Sequence, residues 1–432
     1  MTLSNRQPMI DTLIIADDLS GAADCGIASA STGVATFVMM DPNADVGIAT
    51  AISVDVNSRA MAAEEAGVAA AEAVQQLYRK SMRVLYQKMD SSLRGNWVSE
   101  VVHIRQAAAT ILGHAPVAIV APAFPGTGRV TVDGHVFVNG TALEDTDLWK
   151  RAGLTGSADI QAFLTGAGLK ARLATLEQVA LGPEALKLRL AELMKAGCDA
   201  VVCDAQTEDD LLTIATASHM LDEKPLWVGS GGLMRALVRG WERSSPLSPA
   251  LAWTVAEKPI LVIVGSASGA SHTQFDALAA QPGMTSLIME PSALREGGDP
   301  ERLQTHIETL DHALASGSDL AVMIGGRDVG LQEGPQLAAA LARIIAPRLS
   351  QAGGLIVTGG ETARAILVRA SVSGLRMVGE IEPGVAIGIS VGDIAIPVIT
   401  KAGAFGGRMT LVHCHAALRC HKSASPNSMK NG

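Results

Sequence analysis

TLIIADDLSGAADCGIASAST, residues 12–32, holds one complete strand–loop–helix unit and so indicates the fold class. Its opening is a short, apolar, β-rich run, which predicts a strand over Thr12–Ala16. The Ala-rich segment behind it predicts a helix over Leu19–Thr32. Two acids, Asp17 and Asp18, stand between them at the carboxyl end of the strand, where open α/β sheets bind ligands. Adjacent side chains point to opposite sides, so one acid can face a ligand while the other caps the helix. Capping alone would account equally well for either acid taken singly.

Outward from this unit the same alternation repeats. Strands are expected at Ala35–Met40, Arg83–Gln87, Val117–Ala121, Ala200–Cys203, Pro225–Val228, Ile260–Val264, Leu320–Ile324 and Leu355–Thr358, and a long Ala/Glu helix at Ala60–Tyr78. Strands spaced by helices imply βαβ units and an α/β fold with mainly parallel sheets flanked by helices. The segment ERSSPLSPALAWTVAEK, residues 242–258, carries two Pro and three Ser directly before a new strand. It reads as a linker, giving an N-terminal domain over 1–245, a linker over 246–258, a C-terminal domain over 259–422 and a disordered tail over 423–432.

Composition narrows the function. The chain of 432 residues has 34 Lys+Arg against 43 Asp+Glu, a net charge of -9, which excludes a strongly basic nucleic-acid footprint. Aromatics at 3% leave little for base-stacking platforms. Apolar runs such as 115–124 and 259–267 are too short to span a bilayer, and Met1–Ile10 lacks the apolar core of a secretory signal. Five sparse cysteines fit reduced thiols and a cytoplasmic location. The expected partners are small molecules, with no nucleic acid and no membrane, and self-association is left open.

YQKMDSSLRGNW, residues 86–97, again runs from a strand into a polar loop. Asp90, Ser91, Ser92 and Arg94 supply a carboxylate, two hydroxyls and a guanidinium within five residues. That set suits a polyhydroxy acid, because Asp accepts from hydroxyls and Arg forks onto a carboxylate. The plainer reading is that Ser91 or Ser92 caps a following helix. Arg59, after another strand, is either a third candidate or a surface Arg at a helix start. APAFPGTGR, residues 121–129, is a rigid loop that could aim Arg129 inward or serve only as a turn. The segment after it reads as a hairpin, with His135 structural.

The second half is a series of Gly loops after strands: IVGSASGASHTQ (263–274), MIGGRD (323–328), IVTGGETARAIL (356–367) and TKAGAFGG (400–407). No GxxxxGK[ST] and no complete GxGxxG after a strand occurs, nor does HExxH. Exposed backbone N–H groups at strand-to-helix turns can nevertheless hold phosphates. Each loop alone is ordinary helix-start chemistry; together they point to a nucleotide phosphate site. His413, Cys414, His415, Cys420 and His421 match no zinc spacing, so no metal ligand is assigned.

ADDLSGAAD (16–24), KMDSSLRG (88–95), PAFPGTGR (122–129), TGGETARA (358–365) and KAGAFGG (401–407) stand in an order that resembles the four-carbon acid sugar kinase family. The resemblance runs over nearly the whole chain. It implies ATP-dependent phosphorylation of the terminal C4 hydroxyl of a sugar acid, with Mg²⁺. It implies a sugar-acid-binding N-terminal domain, a nucleotide-binding C-terminal domain and an active site in the cleft between them. Asp17, Arg59, Asp90, Ser91, Ser92, Leu93 and Arg94 would then contact the acid, with Asp17 or Asp90 aligning or deprotonating its hydroxyl. Ser266, Thr358, Gly359, Gly360, Glu361, Thr362 and Gly403 would contact ATP, and Lys401 or Arg327 would neutralise developing charge. Within the family, the ADDLSGAADCG form points to D-threonate, with D-erythronate and 3-oxo-tetronate as alternatives. An NAD(P)-dependent dehydrogenase and a non-catalytic sugar-acid sensor are the rivals from other classes.

Overall fold

Short runs rich in Val, Ile, Leu and Ala form strands that are buried on both faces, as parallel sheets covered by helices require. The computed structural model describes residues 10–239, 258–266, 268–325 and 333–420. The chain divides into two compact units, Met1–Leu247 and Ser248–Gly432.

In the first unit the strands are β1 (Thr12–Ala16), β2 (Thr36–Met39), β3 (Ala51–Asp55), β4 (Val84–Lys88), β5 (Ala118–Ala121), β6 (Arg129–Val132), β7 (His135–Val138), β8 (Thr141–Ala142), β9 (Ala171–Ala174), β10 (Ala200–Cys203) and β11 (Leu226–Gly229). Eight of them form a parallel sheet in the order β2-β3-β1-β4-β11-β5-β10-β9. The remaining three make an antiparallel ribbon, β6-β7-β8, which contains the expected hairpin. The register sets Asp55, Ala16 and Lys88 side by side at the carboxyl ends of β3, β1 and β4. Every residue that follows these three ends therefore emerges at one edge of the sheet.

The first helix, Leu19–Ala30, stops two residues before the expected Thr32. Ser31 and Thr32 turn their hydroxyls back onto the carbonyls of Ala28 and Ser29, each at 2.8 Å, and Gly33 at φ 87° leaves the helical path. The second helix spans Ala63–Leu77 rather than 60–78.

The second unit contains β12 (Ile260–Val264), β13 (Met284–Met289), β14 (Asp319–Ile324), β15 (Gly354–Thr358), β16 (Val372–Glu382), β17 (Val385–Gly392) and β18 (Pro397–Lys401). Their order is β13-β14-β12-β15-β18-β17-β16. The first five are parallel, and Val264, Thr358 and Lys401 share one row at the carboxyl ends of β12, β15 and β18. β17 is antiparallel to both β18 and β16, a meander that the sequence reading did not anticipate. β16 carries register irregularities that interrupt any clean alternation of apolar and polar residues. The expected linker over 246–258, apart from Lys258, and the tail over 423–432 lie outside the described residues.

Candidate functional site

In the first unit, Asp17 is the first residue past β1, and it is 3% exposed. Arg59 leaves the loop after β3 and forks onto it, Nε to Oδ2 at 2.7 Å and Nη2 to Oδ1 at 2.8 Å. The third guanidinium nitrogen, Nη1, donates to Asp18 Oδ2 at 2.9 Å. Asp18 is also the N-cap of helix Leu19–Ala30, accepting from the Gly21 N–H at 2.9 Å. The capping reading therefore holds for Asp18, and Arg59 ties the two acids together.

The loop after β4 builds the second group. Asp90 accepts from Arg94 Nε at 2.7 Å and Nη2 at 2.9 Å, and from both the backbone N–H and the hydroxyl of Ser92. Leu93, at φ 57°, donates its N–H to the Asp90 carbonyl and turns Arg94 back onto the carboxylate. The expectation that Ser91 or Ser92 caps a helix fails. The next helix starts at Trp97 behind Asn96, because Gly95 at φ 83° interrupts the path. Gly95 also lets the loop close on the first group, since a Cβ there would lie 2.8 Å from Asp17 Oδ2 and 3.6 Å from Arg59 Cγ. Ser91 is buried, and its hydroxyl bonds to none of the described residues.

The two acids sit in different fields. Burial raises the Asp17 carboxyl above its ordinary value, and Arg59 pulls against that without cancelling it. Burial acts on Asp90 in the same sense, but Arg94, with Arg59 and Lys88 beyond it, holds Asp90 well below the usual carboxylate range. Lys88, the last residue of β4, is 6% exposed, and nothing in the KMDSSLRG motif marks it as part of the site. Its Nζ donates to the Met89 carbonyl at 3.0 Å. Burial alone would lower its ammonium, yet the surrounding Asp17, Asp18 and Asp90 keep it above its ordinary value. Arg129 opens β6 and donates to the Thr127 carbonyl at 2.7 Å. Burial lowers its pKa while Asp90 pulls it back up, so it stands within electrostatic reach of Asp90.

In the second unit, the turns after β12, β15 and β18 meet. A Cβ on Gly403 would fall 1.9 Å from Ser266 Oγ, and one on Gly265 would fall 2.0 Å from Thr362 Oγ1. Only glycine permits these approaches. Gly359, at φ 89°, lies beside Ser266 and opens the helix Gly360–Arg369. Ser268 and Ser271 donate to the Gly403 carbonyl at 2.8 and 2.9 Å, and the Gly359 N–H donates to the Lys401 carbonyl at 3.0 Å. Thr358 is wholly buried, and its Oγ1 has no hydrogen-bond partner among the described residues. Thr362 is buried, whereas Glu361 is exposed in the first turn of its helix.

Lys401, 1% exposed, ends β18 and donates to the Ala402 carbonyl at 3.0 Å. Burial pulls it down to about 8, against Glu382. The alternative cation, Arg327, and most of the MIGGRD loop lie outside the described residues. His413 and His415, on the helix Thr410–Cys420, face carboxylates: Glu382 at 2.5 Å and Asp319 at 2.6 Å. No helix of the described residues is long and apolar enough to cross a membrane.

Known proteins are similar to this chain over nearly its whole length. The profile of a sugar-binding N-terminal domain matches residues 12–237, and that of a nucleotide-binding C-terminal domain matches residues 261–411. The chain is 44% identical over 415 residues to a D-threonate kinase of Cupriavidus necator, covering 94% of this chain and 97% of that one. It is 29% identical over 444 residues to a D-erythronate kinase of Heliobacterium modesticaldum, covering 94% and 96%. The fold matches the crystal structure of Haemophilus influenzae protein HI1011 with a TM-score of 0.71 at 21% identity, covering 94% of this chain and 100% of that one. With both domain profiles matched in order, and a relative of this identity aligned over nearly all of both chains, the chain belongs to the four-carbon acid sugar kinase family.

Proposed function

We propose that this chain transfers the γ-phosphoryl group of ATP to the C4 hydroxyl of a four-carbon sugar acid, D-threonate before D-erythronate or 3-oxo-tetronate. The observation that carries the reading is the contrast between Asp17 and Asp90. Asp17 accepts from Arg59 alone among the described residues and keeps lone pairs for a hydroxyl, whereas Asp90 accepts from both Arg94 and Ser92. Asp90 is saturated by Arg94 and Ser92 and serves to hold the loop. Asp17, raised by burial, is the acceptor for the hydroxyl proton or the group that aligns it.

Arg59 gives three of its five N–H donors to Asp17 and Asp18 and so orients the acids, and its remaining Nη hydrogens leave it able to reach the substrate carboxylate as well. Arg94 keeps Nη1 unused by the described residues and is 42% exposed, which suits it to that carboxylate. Ser91, Ser92 and Leu93 line the same turn, where the Ser91 hydroxyl can read a substrate hydroxyl. Ser266, Thr358, Gly359, Gly360, Glu361, Thr362 and Gly403 form the ATP site, their N–H and hydroxyl groups cradling phosphate oxygens.

The oxygen donors of this loop, the unpartnered Thr358 Oγ1 among them, fit Mg²⁺ arriving with the triphosphate, held mainly by phosphate oxygens and water. The metal would supply charge neutralisation. Because the transition state is loose, positioning and neutralisation contribute more than the base, and the buried Lys401 ammonium is the cation assigned to them. Cys25, Cys198, Cys203 and Cys414 are free and buried, which supports a reducing, cytoplasmic setting.

The test is ADP release with Mg·ATP against D-threonate, L-threonate, D-erythronate, L-erythronate and 3-oxo-tetronate. Turnover concentrated on D-threonate is expected. Protection against thermal unfolding by NAD(P) rather than ATP, with no ADP release on any acid, would overturn the kinase reading.

A further inference from the structure

Behind the Asp17–Arg59 pair lies a buried carboxyl that the reaction as described does not use. Glu100, on the helix Trp97–Leu112, is 1% exposed. Its Oε1 accepts from the Ser58 hydroxyl at 2.6 Å, and its Oε2 accepts from Gln87 Nε2 at 3.0 Å. Ser58 is itself fully buried and immediately precedes Arg59. Its carbonyl accepts from Asn96 Nδ2 at 3.1 Å, so the turn is held from two sides. Gln87, on β4, also donates to the Trp97 carbonyl at 2.9 Å, which fixes it against the start of the same helix.

A carboxyl removed from water is costly unless its oxygens are matched, and here both are matched by neutral donors. The charged groups acting on it are Asp17, from the end of β1, and Arg59, from the loop after β3. Among the described residues no cation forks onto it in the way that Arg59 and Arg94 fork onto Asp17 and Asp90. The arrangement locks the backbone of the 58–59 turn and so sets where the Arg59 guanidinium meets Asp17.

We propose that Glu100 is a positioning residue for the acceptor site, holding Arg59 in register with Asp17 through the Ser58 hydroxyl. The proposal rests on the reading of Asp17 as the group that aligns the substrate hydroxyl. A guanidinium displaced by a fraction of an ångström lets Asp17 turn away from that hydroxyl, and losses of this kind cost about ten- to a hundredfold in rate.

The experiment compares Glu100→Ala, Glu100→Gln, Ser58→Ala and the Glu100→Ala/Ser58→Ala double variant in the full chain. It measures kcat and KM for the acid, KM for ATP, the pH profile of kcat/KM for the acid, and Tm. Glu100→Ala and Ser58→Ala should each lower kcat/KM for the acid about tenfold with an unchanged KM for ATP. The double variant should fall no further than the worse single one, because both break the same link. Glu100→Gln keeps an acceptor for Ser58 and should recover most of the activity, while shifting the pH profile. Should Glu100→Ala fail to fold, Ser58→Ala, which removes one oxygen, decides the matter alone. Wild-type kinetics for the acid in Ser58→Ala, or losses that multiply in the double variant, would overturn the proposal while leaving the kinase reading intact. A wild-type chain silent on every four-carbon acid would instead remove the reading on which the proposal stands.

Discussion

The two units use the same topological position and build it from opposite materials. In the first, the carboxyl ends of β3, β1 and β4 present Asp17 paired with Arg59 and Asp90 paired with Arg94, with Lys88 buried within electrostatic reach of both acids. In the second, the carboxyl ends of β12, β15 and β18 present glycines, serines and threonines with one buried lysine. A small polyhydroxy acid has to be told from its epimers, which needs directed acceptors and cations on rigid partners. A triphosphate carries its own charge and geometry, so close backbone approach and a few donors suffice. Edge position alone therefore does not define a site; the side chains placed there decide which ligand chemistry it accepts.

The sharpest way to break the contrast is Asp17→Asn. It should lower kcat by about a thousandfold, in the range of a lost general base, while leaving the ATP affinity of the second unit unchanged by calorimetry. A comparable loss from Asp90→Asn with Asp17→Asn nearly active would reverse the assignment of the two acids. Next comes Arg94→Ala, which should raise KM for the acid by roughly tenfold to a hundredfold, the cost of one charge-assisted contact, with KM for ATP unmoved. Gly403→Ala should act in the opposite direction. Its Cβ would meet Ser266 Oγ at 1.9 Å, so the phosphate loop must shift, and KM for ATP should rise about tenfold while KM for the acid stays put.

The smallest effects are in pH-dependent stability, and they should have opposite signs. Glu100 is raised by burial from 4.5 to about 7, so the folded chain binds this proton more tightly than the unfolded one. Its contribution falls as pH rises from 4.5 through about 7. Lys401 is lowered by burial from 10.5 to about 8, so the unfolded chain binds the proton more tightly. Its contribution rises as pH climbs from about 8 to 10.5. Denaturant titrations across pH should show Glu100→Gln flattening the first slope and Lys401→Met the second. Slopes unchanged by either variant would show that neither group titrates as its burial implies.

Much of this was legible before any fold was built. The run Thr12–Ala16 followed by an Ala-rich segment reads as strand and helix because period and propensity agree locally. The motif order located Asp17, Asp90–Arg94, Thr358–Thr362 and Gly403, all of which the structure sets at strand ends. Glu100 was not legible, because an acid in the first turn of a helix reads as ordinary dipole compensation. Neither was Lys88, whose place at the last residue of a buried strand depends on β1 and β4 being neighbours. The antiparallel meander escaped for a related reason: the irregularities of β16 scramble the alternation that would have marked it.

The α/β class, the order of the strand-end motifs and the chemical inventory of each half follow from local pattern and residue type. Which groups are paired depends on contacts between elements distant in the chain. Arg59 and Asp17 are 42 residues apart, and Ser58 and Glu100 are equally distant. The pairing of β1 with β3 brings the first pair within hydrogen-bond reach, and the packing of helix Trp97–Leu112 on the loop after β3 brings the second. The cations around each carboxylate separate two buried aspartates into one raised and one lowered acid. A pKa depends on solvent exclusion and on neighbours across the sheet, which no linear spacing encodes.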